Sequence, residues 1–222
     1  MTASMTAAGA PSQKIAQQIL DFLSDIPHSR EPRSEQPLAR AEAIALSARR
    51  KAFLASSSLA LPPGPLGWFT VLPELVAIWK IQAQMVADIA AACGQHTTLT
   101  REQMLYCLFR HAAAQAVRDL AVRAGQRWMV HAATTHTIRG IAHRIGVKLS
   151  ERALGSSLAR MLPVAGALGV GAYAWYDTRQ VARTAIAMFS RDVEFIPADR
   201  STEVPARRVE HDRAQAAREA GL

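Results

Sequence analysis

Two apolar stretches about a hundred residues apart, each punctuated by proline and glycine, limit what this chain can fold into more than any other feature. The first, Leu61 to Glu74, reads Leu-Pro-Pro-Gly-Pro-Leu-Gly-Trp-Phe-Thr-Val-Leu-Pro-Glu. The second, Met161 to Tyr176, reads Met-Leu-Pro-Val-Ala-Gly-Ala-Leu-Gly-Val-Gly-Ala-Tyr-Ala-Trp-Tyr. Each opens a helical segment behind a proline, and each is rich in residues small enough for two helices to meet backbone to backbone. The pattern predicts a close-packed helix pair or a membrane-seeking hairpin. It is not the signature of an active site.

The rest of the composition agrees with helices. Half the residues are apolar but only 6% are aromatic, so the core must be built from Ala, Leu, Val and Ile. Ala has the best helix propensity and little preference for strands. Cys93 and Cys107 form no disulfide framework and have no metal-ligand spacing, and they read as reduced thiols. The first residues, MTASMTAAGAPSQK, lack the basic and apolar regions of a signal peptide.

Helix signals run along most of the chain. Ser12 is placed to cap a first helix carrying Ile15, Ile19, Leu20 and Leu23, and Pro27 to Pro37 reads as a loop. A second helix spans about Leu38 to Leu61, with Arg49, Arg50 and Lys51 as a compact basic spot. After Pro73 the stripe of Leu75, Ile78, Met85 and Ile89 marks a third, with Gly94 as its C′ residue. Thr100 and Gln103 form a capping box for a helix predicted to reach about Arg123. Further helices are expected over Trp128 to Ile145, from Ser150 toward Pro163, and from Val164 to about Phe189.

Neither apolar stretch reads as a membrane span. A span takes about 20 apolar residues to cross roughly 30 Å of hydrocarbon. Met161 to Tyr176 covers about 24 Å as a helix before Asp177 and Arg179. The first stretch is broken from Pro62 to Pro65, and Glu74, Lys80 and Asp88 follow. A buried helix or a re-entrant, interfacial hairpin fits better. Ala165 with Gly169, and Ala167 with Gly171, make two small-xxx-small ridges. Gly166, Gly169 and Gly171 together sacrifice about 3 kcal/mol of helix propensity, so something must press closely on them. The helix containing Trp79 is the expected partner.

The residues here resemble the EcsC family and the related DUF697-type domains. The resemblance lies in the Pro-led helix ending in Ala-Ala-Cys-Gly (Ala91 to Gly94) and in Leu-Pro-Val-Ala-Gly-Ala-Leu-Gly-Val-Gly-Ala (Leu162 to Ala172). Ala-Met-Phe-Ser-Arg (Ala187 to Arg191) closes the matching region, which runs from about Leu61 to Arg191. The family's helix-starting Leu-Pro corresponds to Leu72-Pro73; its acidic residue before that proline is absent here, and Glu74 follows instead. The resemblance implies a bacterial helical protein, sometimes linked to membrane transporters or stress functions, and carries over no catalytic residue. Pro73, Gly94, Pro163, Gly166, Gly169 and Gly171 are the packing positions it emphasises.

Charge points to a partner. The chain carries 26 Lys and Arg against 18 Asp and Glu, a net +8. Residues 101–160 hold ten basic against three acidic residues, so nearly the whole excess lies there. An anionic membrane surface or a membrane protein is the expected partner. Arg110, Arg118, Arg123, Arg127, Arg144 and Lys148 would meet headgroups, with Trp68 and Phe69 at the interface. The alternatives left open are nucleic-acid binding and a purely soluble interaction module using the same segment. No helix-turn-helix, zinc-finger or RNA-recognition pattern is legible, and aromatics do not interleave with the basic residues apart from Trp128 beside Arg127.

Catalytic signatures are missing. There is no phosphate-binding loop, no His-Glu-x-x-His and no Gly-x-Ser-x-Gly, and Gly-Val-Gly-Ala at Gly169 follows no strand. His136 and His143 are seven apart, too far for one metal on a straight helix, with Arg139 between them; His111 and His131 add no ligand spacing. The expectation is a non-enzymatic protein without metal or cofactor, cytoplasmic or attached peripherally to the inner face of a bacterial membrane. Its fold class is all-α, a compact multi-helix bundle with the two Pro-led, Gly/Ala-rich helices packed centrally. An N-terminal helix and flexible loop occupy 1–36, an EcsC-like helical domain 37–195, and a polar tail 196–222.

Overall fold

The computed structural model describes residues 3–59, 67–95, 99–124, 127–155, 163–191 and 193–196. Among them the chain forms seven α-helices and three short strands, and the all-α bundle expected from composition is the architecture found. The helices are α1 (Ala3–Ser24), α2 (Pro37–Leu59), α3 (Gly67–Ala92), α4 (Arg101–Phe109), α5 (Ala114–Val117), α6 (Thr135–Gly155) and α7 (Pro163–Phe189). The strands are β1 (Ala121–Ala124), β2 (Arg127–His131) and β3 (Val193–Ile196). The polar tail expected from 196 onward falls outside the described residues, Ile196 apart.

Local signals placed several boundaries well. Gly94 adopts φ 78°, and the amides of Gly94 and Gln95 donate to the carbonyls of Ala91 and Ala90, both at 2.8 Å. That pairing closes α3 with a left-handed glycine. At the start of α4, Gln103 Oε1 accepts from the Thr100 amide at 2.8 Å and Thr100 Oγ1 from the Gln103 amide at 3.3 Å.

Other boundaries differ from the sequence expectation. Ser12 does not cap α1; it lies inside the helix and is buried, because the Ala-rich residues before it sustain the helix. Pro73 does not start α3, which begins six residues earlier at Gly67. A proline inside a helix deletes one bond, here to the Phe69 carbonyl, and Pro73 is itself exposed. The helix after Thr100 stops at Phe109 rather than near Arg123, and Trp128 lies in a strand rather than a helix. β1 and β2 pair antiparallel across residues 125–126, and β3 joins β2 in parallel, with Trp128 opposite Val193. α6 runs through Gly146 and Ser150 without a break.

One core joins these elements. Ile15, Ile19 and Leu23 of α1, Met85 and Ile89 of α3, nearly all of α4, and Val181, Met188 and Phe189 of α7 share it. Trp79 and Phe109 meet edge to face at 5.4 Å, and Tyr106 meets Trp128 the same way at 5.5 Å. The Trp128 indole donates to the Ala187 carbonyl at 2.9 Å, tying the sheet to the C-terminal end of α7. Where α1 crosses α6, a methyl group at Gly146 would collide with the Ser12 carbonyl, so glycine sets how closely these two backbones approach.

Candidate functional site

Helices α2, α3 and α7 form a three-helix unit whose directions follow from its contacts. Ala52, Ile78 and Ala174 pack together, and Gln82, one turn after Ile78, bonds Asp177 and Thr178, one turn after Ala174. α3 and α7 therefore run parallel. Gly171 lies against Phe53 and Ser57, and Trp175 against Arg49, so α2 runs opposite to α7. Gly67 precedes Ile78 by eleven residues and Pro163 precedes Ala174 by eleven, so α3 and α7 start level with each other. Both extend about 16 Å beyond the shared contact, while α2 ends seven residues past it at Leu59.

The described parts of the two Pro-led apolar stretches thus converge on one end of this three-helix unit. Residues 52–59, 67–73 and 163–176 carry no charged side chain, and Glu74 is the first to appear in α3. On the outer surface near this end Leu54, Leu168, Tyr173 and Tyr176 are each more than half exposed. Trp68 and Phe69 lie in the first turn of α3, but their side chains fall outside the described residues, as do the surroundings of Pro163 and Gly166.

The small-residue ridges pack differently from the expectation. A Cβ at Gly171 would strike Ser57 Oγ and come within 3.0 Å of the Phe53 ring, so the close neighbour is α2, not the Trp79 helix. A ridge of glycines states that a neighbour is close without naming it. Gly169 is exposed, with nothing within 4 Å of an added Cβ.

A layer of polar groups marks where the uncharged end stops. Inside the unit, His111 Nε2 and Asp177 Oδ1 are 2.5 Å apart, and Asp177 Oδ2 accepts from Gln82 Nε2 at 2.7 Å. Gln82 also donates to Thr178 Oγ1 at 3.3 Å, and His111 Nδ1 is buried with no hydrogen-bond partner. This cluster fastens α3, the turn after α4, and α7 to one another. On the outside, the Arg49 guanidinium lies over the Trp175 ring at 4.2 Å. Burial first, then the like charges of Arg179 and Arg183, hold Arg49 below its ordinary pKa. Its Nε is buried without a hydrogen-bond partner. Among the described residues no carboxylate lies within ion-pair distance of Arg49, Arg179 or Arg183.

The basic residues singled out in the sequence lie elsewhere. Arg110 follows α4 with its guanidinium 5.5 Å from the Tyr106 ring and 5.7 Å from the Trp128 ring. Arg123 faces Trp128 across the β1–β2 ladder, its side chain outside the described residues, and exposed Arg127 is Trp128's neighbour. Arg118 is exposed in a 3-10 turn, and Arg144 and Lys148 are exposed one turn apart on α6. Trp128 bonds Ala187, 24 residues from the start of α7, or about 36 Å along the helix. Arg110, Arg123 and Arg127 therefore sit far from Trp68 and Phe69. Trp128 itself is 3% exposed and offers no face for a base to stack on.

The remaining reactive groups are quiet. Burial raises the Cys107 thiol well above its ordinary pKa and raises Cys93 less, so both stay protonated. His136 and His143 are exposed on α6, and among the described residues no three His, Cys, Asp or Glu side chains gather to hold a metal. Leu75–Ala92 is long and apolar enough to cross a membrane, but most of it is buried in the bundle as a core helix.

The sequence matches the EcsC protein family over residues 2–191. The chain belongs to the EcsC family. The match takes in α1 and α2 as well as the region from Leu61 onward, so the family unit includes the α2 surface against which Gly171 packs. Neither a curated protein nor a solved structure matches the chain.

Proposed function

We propose that this EcsC-family protein is a non-enzymatic, membrane-peripheral adaptor that inserts the uncharged end of α2, α3 and α7 into one leaflet of a bacterial membrane, from the cytoplasmic side. The observation that carries the reading is the convergence of two apolar helix starts, far apart in sequence, at a single end. Depth supports it. The hydrocarbon of one leaflet is about 15 Å thick and its headgroups extend to about 20–22 Å. Pro163 to Tyr173 spans about 15 Å, Trp175 lies at about 18 Å and Arg179 at about 24 Å. Apolar residues would fill the hydrocarbon, with Tyr176 and Arg49, level with Trp175, at the headgroups, where aromatic and basic side chains are favoured, and Arg179 just beyond them.

Energy supports it as well. Glu74 is the single charge at hydrocarbon depth in the described parts of α2, α3 and α7, and a charged side chain at the bilayer centre costs about 2.5–3.5 kcal/mol on insertion scales. Burying large apolar side chains such as Leu54 and Leu168 contributes about 1.5–3 kcal/mol each when complete. Co-flotation of purified protein with neutral and anionic liposomes across a salt series tests the proposal. Binding that weakens but persists at high salt is expected from apolar insertion assisted by charge. Absence of flotation with either lipid would refute it and return the apolar end to a protein–protein contact.

A further inference from the structure

We infer that Arg49, Arg179 and Arg183 form a recognition site for a phosphate group, positioned by Trp175 on the shared outer face of α2 and α7. The inference rests on the membrane reading and deepens it: Arg49, level with Trp175, lies at headgroup depth, and Arg179 and Arg183 follow one and two turns farther out.

Three features point to phosphate. First, three guanidinium groups gather from two helices while no carboxylate among the described residues pairs with any of them. Arg179 and Arg183 are one turn apart on α7, a like-charge spacing that weakens a helix by about 0.2–0.5 kcal/mol. An unneutralised cluster is a standing electrostatic cost that an anion would relieve. Second, Arg49 is already oriented. Its guanidinium carbon lies 4.2 Å from the Trp175 ring centroid and its Nε is buried, so the two terminal amino groups are the donors it presents to a phosphate. An arginine so held loses little entropy on forming a bidentate bond, and its planar fork matches phosphate oxygens. Third, charge matches: three cations suit the nearly dianionic monoester better than a single carboxylate.

The phosphate could belong to a monoester lipid headgroup or to a soluble phosphorylated molecule, and one set of measurements separates the sources. Flotation compares vesicles containing phosphatidic acid with phosphatidylglycerol vesicles of matched surface charge. Thermal unfolding is followed in inorganic phosphate and in sodium chloride of equal ionic strength. The comparison protein is the triple variant Arg49→Lys, Arg179→Lys, Arg183→Lys, which keeps net charge and removes the fork. If the triple variant fails to fold, Arg179→Lys alone is used, since that side chain is exposed.

For a lipid headgroup, wild-type protein should bind phosphatidic acid vesicles at least tenfold more tightly than phosphatidylglycerol vesicles. The lysine variant should lose that preference while still binding both. For a soluble ligand, inorganic phosphate should raise the wild-type melting temperature above the chloride control and leave the variant unmoved. Vesicle binding without preference, together with no phosphate shift, would overturn the phosphate site and leave the membrane reading standing. A phosphate shift without any flotation would do the reverse.

Discussion

Four glycines within α6 and α7 differ in what an added methyl group would meet, which makes them a graded test of the packing. At Gly140 and Gly169 a Cβ meets nothing within 4 Å. Alanine there gains about 0.5–1 kcal/mol of helix propensity without opposition. At Gly171 the Cβ meets Ser57 Oγ and the Phe53 ring; the hydroxyl can rotate but the ring has less room. Overpacking costs about 1–3 kcal/mol, so after the propensity gain Gly171→Ala should lose about 0–2 kcal/mol. At Gly146 the obstacle is the Ser12 carbonyl, with the Ala16 amide 3.3 Å away. Backbone cannot swing aside, so all of α1 must shift, and the net loss should reach about 2–3 kcal/mol. For a chain of this size each kcal/mol moves the melting temperature by about 2–4 °C. Thermal and urea unfolding of the four alanine variants should rank them Gly146, then Gly171, then wild type, with Gly140 and Gly169 above it. Adding Ser57→Gly to Gly171→Ala should recover part of the loss. If Gly146→Ala melts no earlier than Gly140→Ala, the backbone contact between α1 and α6 is not what fixes their approach.

Three further outcomes follow from the site and its caps. Leu54→Asp with Leu168→Asp should abolish liposome flotation while unfolding stays within about 0.5 kcal/mol of wild type, as is usual for exposed positions; retained flotation would move the lipid contact elsewhere. Asp177→Ala strands His111 and Gln82 in a largely buried site and should cost about 1–3 kcal/mol in urea unfolding, whereas Asp177→Asn, which keeps an acceptor, should cost less. Thr100→Ala removes one half of the α4 capping box and should cost about 0.5–2 kcal/mol in the same assay.

What the sequence revealed was chiefly local. The left-handed Gly94 and the Thr100–Gln103 box involve residues three to five apart, and both were legible. The β1–β2 hairpin left a signal that the helical reading passed over: a Gly-Gln pair between runs with alternate positions buried, Trp128 and Val130 on one side. β3 left none, because Val193–Ile196 becomes a strand only by pairing with a segment about 65 residues earlier. Pro73 reads as a boundary in the sequence, but a proline at an exposed position removes only one bond, and α3 starts at Gly67. The glycine ridge on α7 announced a close neighbour correctly but chose α3 over α2. The arginine cluster was hidden by counting charge along the chain. Arg49 was visible as part of a basic spot, whereas Arg179 and Arg183 lie in a third of the sequence whose charges cancel.

The polar layer gives these separate contacts a common geometry. Gln82, His111, Asp177 and Thr178 lie inside the three-helix unit at the level where Arg49, Trp175 and Arg179 lie outside it. On the helix-start side of the Ala52–Ile78–Ala174 contact the described parts of α2, α3 and α7 hold only Glu74 as a charge; on the other side Lys51, Lys80 and Asp177 appear within a turn. A core built only to be soluble has no reason to change polarity at one height on both its inner and outer surfaces. A helical end that partitions into a leaflet does. Its buried polar bonds cannot sit within hydrocarbon without burdening insertion, and its cations must emerge where headgroups begin. The internal His111–Asp177–Gln82 lock then acts as more than a tie between helices. It keeps α3 and α7 in step, and in the proposed membrane reading it thereby brings both uncharged starts to the same depth.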